Sequence, residues 1–462
     1  MISGLSLVLA VCAGTAVFAS FYGCHPEAEK APQPSSSAAA STTSAPRPPL
    51  SPMAALGQTL FFEPRLSASG SMSCASCHSP THAFGPANAL SVQMGGKDGH
   101  LQGLRAVPSL TYSKETPFFS IGATDEASEE ANPSGTASIT QALSQDGIHL
   151  ATQQPLSKHV TALKRAHQAA SPTDQVPEGG LFWDGRADSL QAQALGPLMN
   201  PLEMANTSKA TLVHTLKQLP YIQQLVKFAG PDIMHDDERF LQEVLFMIGR
   251  YQTEEQAFAP YSSKYDAYLA GKATLSAAEM RGLKLFDDPH KGNCAACHLD
   301  QPRPNGHPPM FTDYEFEALG VPRNPAIHAN QDAHFYDLGI CGPSRRDRYA
   351  QQAANCGLFK TPSLRNVAVR QAYFHNGIYH NLRDVLNFYV NRDIHPERVY
   401  PRMPNGSVHK FDDLPARYQG NIDYHDAPFD RKAGDAPALT DAEITDVIAF
   451  LNTLTDGFKS TY

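Results

Sequence analysis

The pentapeptide CASCH at residues 74–78 returns as CAACH at 294–298, and few features constrain a chain as tightly as two such loops. In Cys-x-x-Cys-His the two thiols, three residues apart, add to the two vinyl groups of a haem, and the next histidine is carried beneath the iron. A Cys-x-x-Cys pair alone also serves zinc and redox sites. The trailing histidine, present twice in a duplicated context, selects covalent haem. Cys74, Cys77, Cys294 and Cys297 are the expected attachment points, with His78 and His298 as proximal ligands.

The duplication extends beyond the motif. In LSPMAALGQTLFFEP (50–64) and LSAAEMRGLKLFDDP (275–289), Leu50, Ser51, Gly57, Leu60, Phe61 and Pro64 match Leu275, Ser276, Gly282, Leu285, Phe286 and Pro289 at one offset. Ser276 with Glu279 reads as a capping box, Leu283 and Phe286 share a helical face, and Pro289 stops the helix. Each unit then closes on an amphipathic segment, RFLQEVLFMIGRYQ from Arg239 and TDAEITDVIAFLNTL from Thr440. The second opens on a Thr440–Glu443 capping box and keeps Ile444, Val447, Ile448, Leu451 and Leu454 at helical spacing. Two terminal helices around a haem describe a cytochrome c-type domain. The expected fold is mainly α, two cytochrome c-like haem domains in tandem with long structured loops, one over 50–265 and one over 266–462.

A chain of 462 residues is long enough for two cores. Its 36 prolines and 32 glycines agree with short helices joined by long loops, since strand-like alternation is scarce. A net charge of -9 offers nothing to nucleic acid or an anionic membrane, so any membrane association falls to the N-terminus. Residues 1–24 form an apolar run of signal-peptide or anchor length, ending in Gly23–Cys24 like a lipoprotein cleavage site. A Pro/Ser/Ala tether follows over 25–49. This places the folded part outside the cytoplasm, in the periplasm or at the cell surface, where the leftover pair Cys341 and Cys356 reads as a disulfide bracing one loop.

LFWDGRADSLQAQALGPLMNPLEM (181–204) and LFKTPSLRNVAVRQAYFHNGIYHNLRDVLNFYVNRD (358–393) resemble the bacterial di-haem cytochrome c peroxidase and MauG superfamily. The likeness runs from Leu50 to Gly457, and the tail motifs CGLFKTPSLRNVA, KFDDLPARYQGNID and DAPALTDAEI are similar to the MbnH-type di-haem enzymes of methanobactin gene clusters. The resemblance implies that the first haem reacts with hydrogen peroxide. It makes Glu203 the general acid/base, which takes a proton from the near oxygen and returns it to the leaving one. Gln193 becomes a hydrogen-bonding partner in the same distal pocket, and Trp183, the chain's single tryptophan, the relay for an oxidising hole between the haems. His82 and His100 lie in the loop where some relatives supply a removable ligand to the first iron, with His100 the better candidate.

Alignment on YFHNG puts Tyr389 where carrier-linked peroxidases place a methionine ligand to the second haem; Met403 is the alternative. A thioether raises a haem's potential, whereas a phenolate favours the higher oxidation states of iron. By resemblance, Tyr389 implies a high-valent state shared by two haems and oxidation of an aromatic residue, a tryptophan, on a copper-binding partner protein. A cytochrome c peroxidase fed by a small cytochrome or cupredoxin and a di-haem electron carrier are the competing readings. The family's calcium site between the haems uses an asparagine after an arginine; here Ala106 follows Arg105, which leaves only the carbonyls of Arg370 and Ala372 and puts calcium in doubt.

Overall fold

Ser51 accepts the Ala54 N–H at 3.2 Å and Pro52 takes the first helical position, so α1 runs Pro52–Phe61. In this computed structural model residues 48–121, 176–303 and 306–459 are described. The leader at 1–24 and nearly all of the 25–49 tether lie outside them. Nine further α-helices follow among the described residues: α2 (Cys74–Cys77), α3 (Leu190–Met199), α4 (Lys209–Lys217), α5 (Gln223–Ala229), α6 (Asp237–Glu254), α7 (Lys264–Leu269), α8 (Ala277–Asp287), α9 (Leu382–Asn391) and α10 (Asp441–Asn452). Three two-residue antiparallel pairs supply the strand content: β1 (Met94–Gly95) with β2 (Leu101–Gln102), β3 (Ser120–Ile121) with β4 (Pro177–Glu178), and β5 (Phe316–Glu317) with β6 (Phe359–Lys360).

Leu50–Tyr462 is one unit holding two large apolar cores, each built by its repeat's opening and closing helices. In the first, α1 packs on α6, and Leu56 and Leu60 meet Val244, Met247 and Ile248. In the second, α8 packs on α10, and Phe286 meets Val447, Phe450 and Leu451. Both crossings turn on the repeated glycine. A Cβ at Gly57 would lie 1.9 Å from the Met247 carbonyl oxygen, and one at Gly282 would lie 2.0 Å from that of Asp446. Two backbones that close leave no room for a side chain.

The expected capping boxes form at Ser276–Glu279 and Thr440–Glu443, and α8 stops at Asp287, before Pro289. Long loops carry the rest, tied by buried charge rather than by sheet. Arg105 reaches Asp184 at 2.7 Å and Asp337 at 2.6 Å, so one guanidinium joins three distant segments. Cys341 and Cys356 are disulfide-bonded with their Cα atoms 4.9 Å apart, closing the loop that carries Arg345.

Candidate active site

Each Cys-x-x-Cys-His winds into about one helical turn. The His78 N–H donates to the Cys74 carbonyl at 2.9 Å, and the His298 N–H to that of Cys294 at 2.8 Å. The four cysteines form no disulfide, and burial pushes the thiols of Cys74 and Cys294 up to about 12. His78 Nδ1 lies 2.9 Å from the Phe84 carbonyl and His298 Nδ1 2.9 Å from that of Phe311. A carbonyl only accepts, so Nδ1 carries the proton and Nε2 keeps its lone pair for iron. Burial also pushes the His78 imidazole down to about 4, which keeps it neutral.

The two carbonyls are aimed by the same backbone device. Phe84 and Phe311 take φ of 51° and 54°, a left-handed conformation costing roughly 1–2 kcal/mol for an L-residue. Burial of both rings offsets it: Phe84 stacks on Phe258 at 3.7 Å, and Phe311 stands edge-on to Phe286 and Tyr265. Sequence reasoning missed these two residues. They stand six and thirteen positions beyond their histidines, so no common spacing marks them.

Cys294, Cys297, His298 and Tyr389 line one cavity of about 320 Å³, walled by Phe374, Val385 and Phe429. Apolar walls, two thiols and an imidazole whose Nδ1 is taken by the Phe311 carbonyl fit a covalently held haem. The Tyr389 ring stacks on Phe429 at 5.5 Å, and burial holds its hydroxyl above the usual phenol range. Met403 does not line this cavity; it is 42 % exposed on a turn.

The cavity extends to Trp183 and Gln193. The Trp183 indole N–H donates to the Ala106 carbonyl at 2.8 Å, and the Trp183 carbonyl accepts from the Lys360 N–H at 2.9 Å. The neighbouring Asp184, fully buried between Arg105 and Arg186, fixes the loop.

Glu203 lies outside that cavity, in the turn after α3, on the side of the first attachment loop. Its carboxylate accepts from Asn200 Nδ2 at 2.6 Å, and its carbonyl accepts the Gly96 N–H at 2.7 Å. A Cβ at Gly95 would sit 2.3 Å from the Leu202 carbonyl oxygen, so only glycine lets the β1–β2 hairpin close on this turn. Burial raises the Glu203 carboxyl, while Arg186 and the Asn200 bond pull it down. The Cys77 thiol is pushed up to about 11 by burial and by the nearby Glu203 charge. Gln193 and Glu203, expected in one distal pocket, thus sit in different surroundings: Gln193 lines the large cavity and Glu203 does not. Arg186 and Asn200 had no assigned role; the Asn-Pro turn before Glu203 was the signal for Asn200.

His100 is exposed in the β1–β2 turn, and His82 is engaged by the Thr81 hydroxyl at 2.9 Å. The calcium ligand set does not fit. Ala106 presents a methyl group, the Arg370 carbonyl accepts from the Tyr373 hydroxyl at 2.8 Å, and the Ala372 carbonyl accepts from Arg370 Nη2 at 3.3 Å.

Fold and site together define a two-haem c-type oxidoreductase. Residues 51–274 match the di-haem cytochrome c peroxidase family. Methylamine utilization protein MauG of Paracoccus denitrificans is 29% identical over 428 residues, 90% of this chain and 92% of its own. Cytochrome c551 peroxidase of Nitrosomonas europaea is 28% identical, over 70% and 69%. Among solved structures, the diheme peroxidase BthA of Burkholderia thailandensis superposes with TM-score 0.71 at 35% identity, over 88% of this chain and 87% of that one. A MauG-like protein associated with microbial copper homeostasis shares the fold at TM-score 0.53 and 23% identity, over 89% and 93%. The chain belongs to the di-haem cytochrome c peroxidase and MauG family.

Proposed function

We propose that this protein is an exported MauG-like peroxidase that uses hydrogen peroxide to oxidise an aromatic residue, a tryptophan, of a copper-binding partner protein. When bound, the haems would supply the redox chemistry: two electrons from them, with two protons from solvent, would reduce peroxide to two waters and leave two oxidising equivalents to be shared between them. The chain's residues do the rest. Glu203, held by Asn200, takes the proton of the near oxygen and delivers it to the leaving one. Trp183, fixed by Ala106 and the Asp184 ion pairs on the wall of the second cavity, passes electrons between the haems. Two electrons then come back from the partner's aromatic ring.

The observation that carries this reading is Tyr389 on the wall of the cavity that holds Cys294, Cys297 and His298, with Met403 on the surface. A phenolate beside the second iron suits storage of oxidising equivalents better than acceptance of electrons from a carrier. The tail motifs support the copper-binding class of partner, and the apolar leader with Cys24 supports export with lipid attachment. The test is stoichiometric peroxide added to the oxidised, haem-loaded protein without any electron donor. A long-lived near-infrared absorbance, quenched by the partner and not by reduced cytochrome c, is expected. If nothing changes until the second haem is reduced, and reduced cytochrome c is then consumed, the protein is a carrier-linked peroxidase like its Nitrosomonas relative.

A further inference from the structure

Several deeply set cations in this molecule come with carboxylates: Arg105 pairs with Asp184 and Asp337, Arg365 with Asp266, and Arg392 with Asp393. Arg370 departs from that arrangement, as does Lys360, whose ammonium meets the Gly180 carbonyl. Among the described residues no carboxylate forms an ion pair with Arg370, although its side chain lines both the large cavity and the small cleft under His82–Gly85. Arg370 is half-buried, and a charge drawn even partly out of water is costly unless something answers it.

The answer on the protein side is carbonyl oxygen. Arg370 Nη2 donates to the Val107 carbonyl at 3.0 Å and to the Ala372 carbonyl at 3.3 Å. Val107 belongs to the first repeat's loop and Ala372 to the second's, so one cation ties segments 263 residues apart in sequence. Nη1 points toward the first attachment loop, 3.9 Å from where a Gly85 Cβ would stand. Backbone carbonyls converging on a positive charge are also how a hard divalent cation is bound, at 2.3–2.6 Å with six or more oxygens. Here the carbonyls are occupied and Ala106 adds no oxygen, so the residues reject calcium and supply a guanidinium in its stead.

We propose that Arg370 is the resident cation between the two haem sites, a tethered replacement for a bound divalent ion that joins the Val107 and Ala372 loops and places positive charge beside His78. The proposal rests on two-haem loading, which the family establishes, and not on the nature of the oxidised partner. A positive charge near a haem stabilises its reduced form, so removing it lowers the midpoint potential. A guanidinium, unlike calcium, cannot be chelated away.

The test uses the haem-loaded, full-length protein. Calorimetric titration of chelator-treated wild type with calcium chloride should give no saturable heat, and spectroelectrochemical midpoints should be the same with calcium and with EGTA. Arg370→Gln should lower the midpoint of the first haem, whereas Arg370→Lys, which keeps the charge, should retain most of the wild-type value. One calcium bound per wild-type chain, with midpoints that move on chelation, overturns the proposal. So does an Arg370→Gln protein with full haem content and unchanged midpoints. Should Arg370→Gln fail to load haem, the wild-type calcium titration and the Lys variant still decide.

Discussion

The two attachment loops share their proximal side and part company on the other. Around His78 and His298 the molecule repeats itself: a one-turn Cys-x-x-Cys, an Nδ1–carbonyl bond of 2.9 Å, a left-handed phenylalanine, and helices crossing on a glycine. Beyond that the first loop faces a half-buried carboxylate, Glu203 with Asn200 and Arg186, while the second opens into an apolar cavity with Tyr389 stacked on Phe429. Duplication preserved what holds a haem. Divergence fell on what the haem meets, so each half is suited to a different task.

Removing the proposed acid/base from the first half is the strongest way to break this contrast. Glu203→Gln should slow the reaction with hydrogen peroxide about 10²–10⁴-fold, the range for loss of a positioned acid/base, read by stopped-flow at equal haem content. Tyr389→Phe should leave that rate within about tenfold, because the proposed proton handling lies in the first half. Glu203 is a base only when ionised, and burial raises its carboxyl above the usual range. The wild-type rate should therefore climb with pH through that raised value, and the climb should vanish in Glu203→Gln. A retained climb would assign the base elsewhere.

Tyr389→Met should erase the contrast from the other side. Axial ligands command a span of roughly 0.8 V, and a thioether in place of the phenol should raise the second haem's midpoint by about 0.1 V or more. The variant should lose the long-lived near-infrared absorbance and gain peroxide-dependent consumption of reduced cytochrome c. An unchanged midpoint would mean that Tyr389 only packs.

The shared scaffold predicts equal damage in both halves. Gly57→Ala and Gly282→Ala each force a Cβ to about 2 Å from a carbonyl oxygen, and overpacking of this kind costs typically about 1–3 kcal/mol. Urea unfolding of the haem-loaded variants should show losses within that range, of similar size at the two crossings. A loss in one half only would mean that its helix pair can slide.

How much of this was legible follows from what kind of physics fixed each part. The haem-attachment residues, the opening and closing helices and their boxes are local in sequence, so Cys74, His298, Ser276 and Thr440 could be read directly. The crossing glycines were visible as a repeat, though their reason, a close backbone approach, is tertiary. Phe84 and Phe311 were not legible, because a left-handed backbone at phenylalanine is imposed by the surrounding rings and not by local preference. Nor was Arg370: its residue type says buried only when an ion pair is in view, and here carbonyls from two distant loops take that place. Glu203 and Tyr389 were picked out by resemblance, since nothing in a glutamate's or a tyrosine's own neighbourhood marks it for a haem. Gln193, assigned to Glu203's company, lies on the wall it shares with Trp183.

The smallest effect sharpens the scaffold comparison where the halves look most alike. The opening helix of the first half and the closing helix of the second both begin with a hydroxyl cap, yet the caps are wired differently. Thr440 works locally: it accepts the Glu443 N–H at 3.3 Å, and its hydroxyl lies 3.0 Å from the Glu443 carboxylate. Ser51 caps α1 and also donates its hydroxyl and its backbone N–H to Glu254, each at 2.9 Å, at the end of α6, where Arg250 holds the same carboxylate. Thr440→Ala should therefore cost about 1 kcal/mol, the ordinary loss of an N-cap. Ser51→Ala gives up the cap and a hydrogen bond to a charged group that links two helices, so its cost should approach about 2 kcal/mol. Equal losses in urea unfolding would mean that the Glu254 contact contributes nothing, and that α1 is held on α6 by its apolar face and the Gly57 crossing alone.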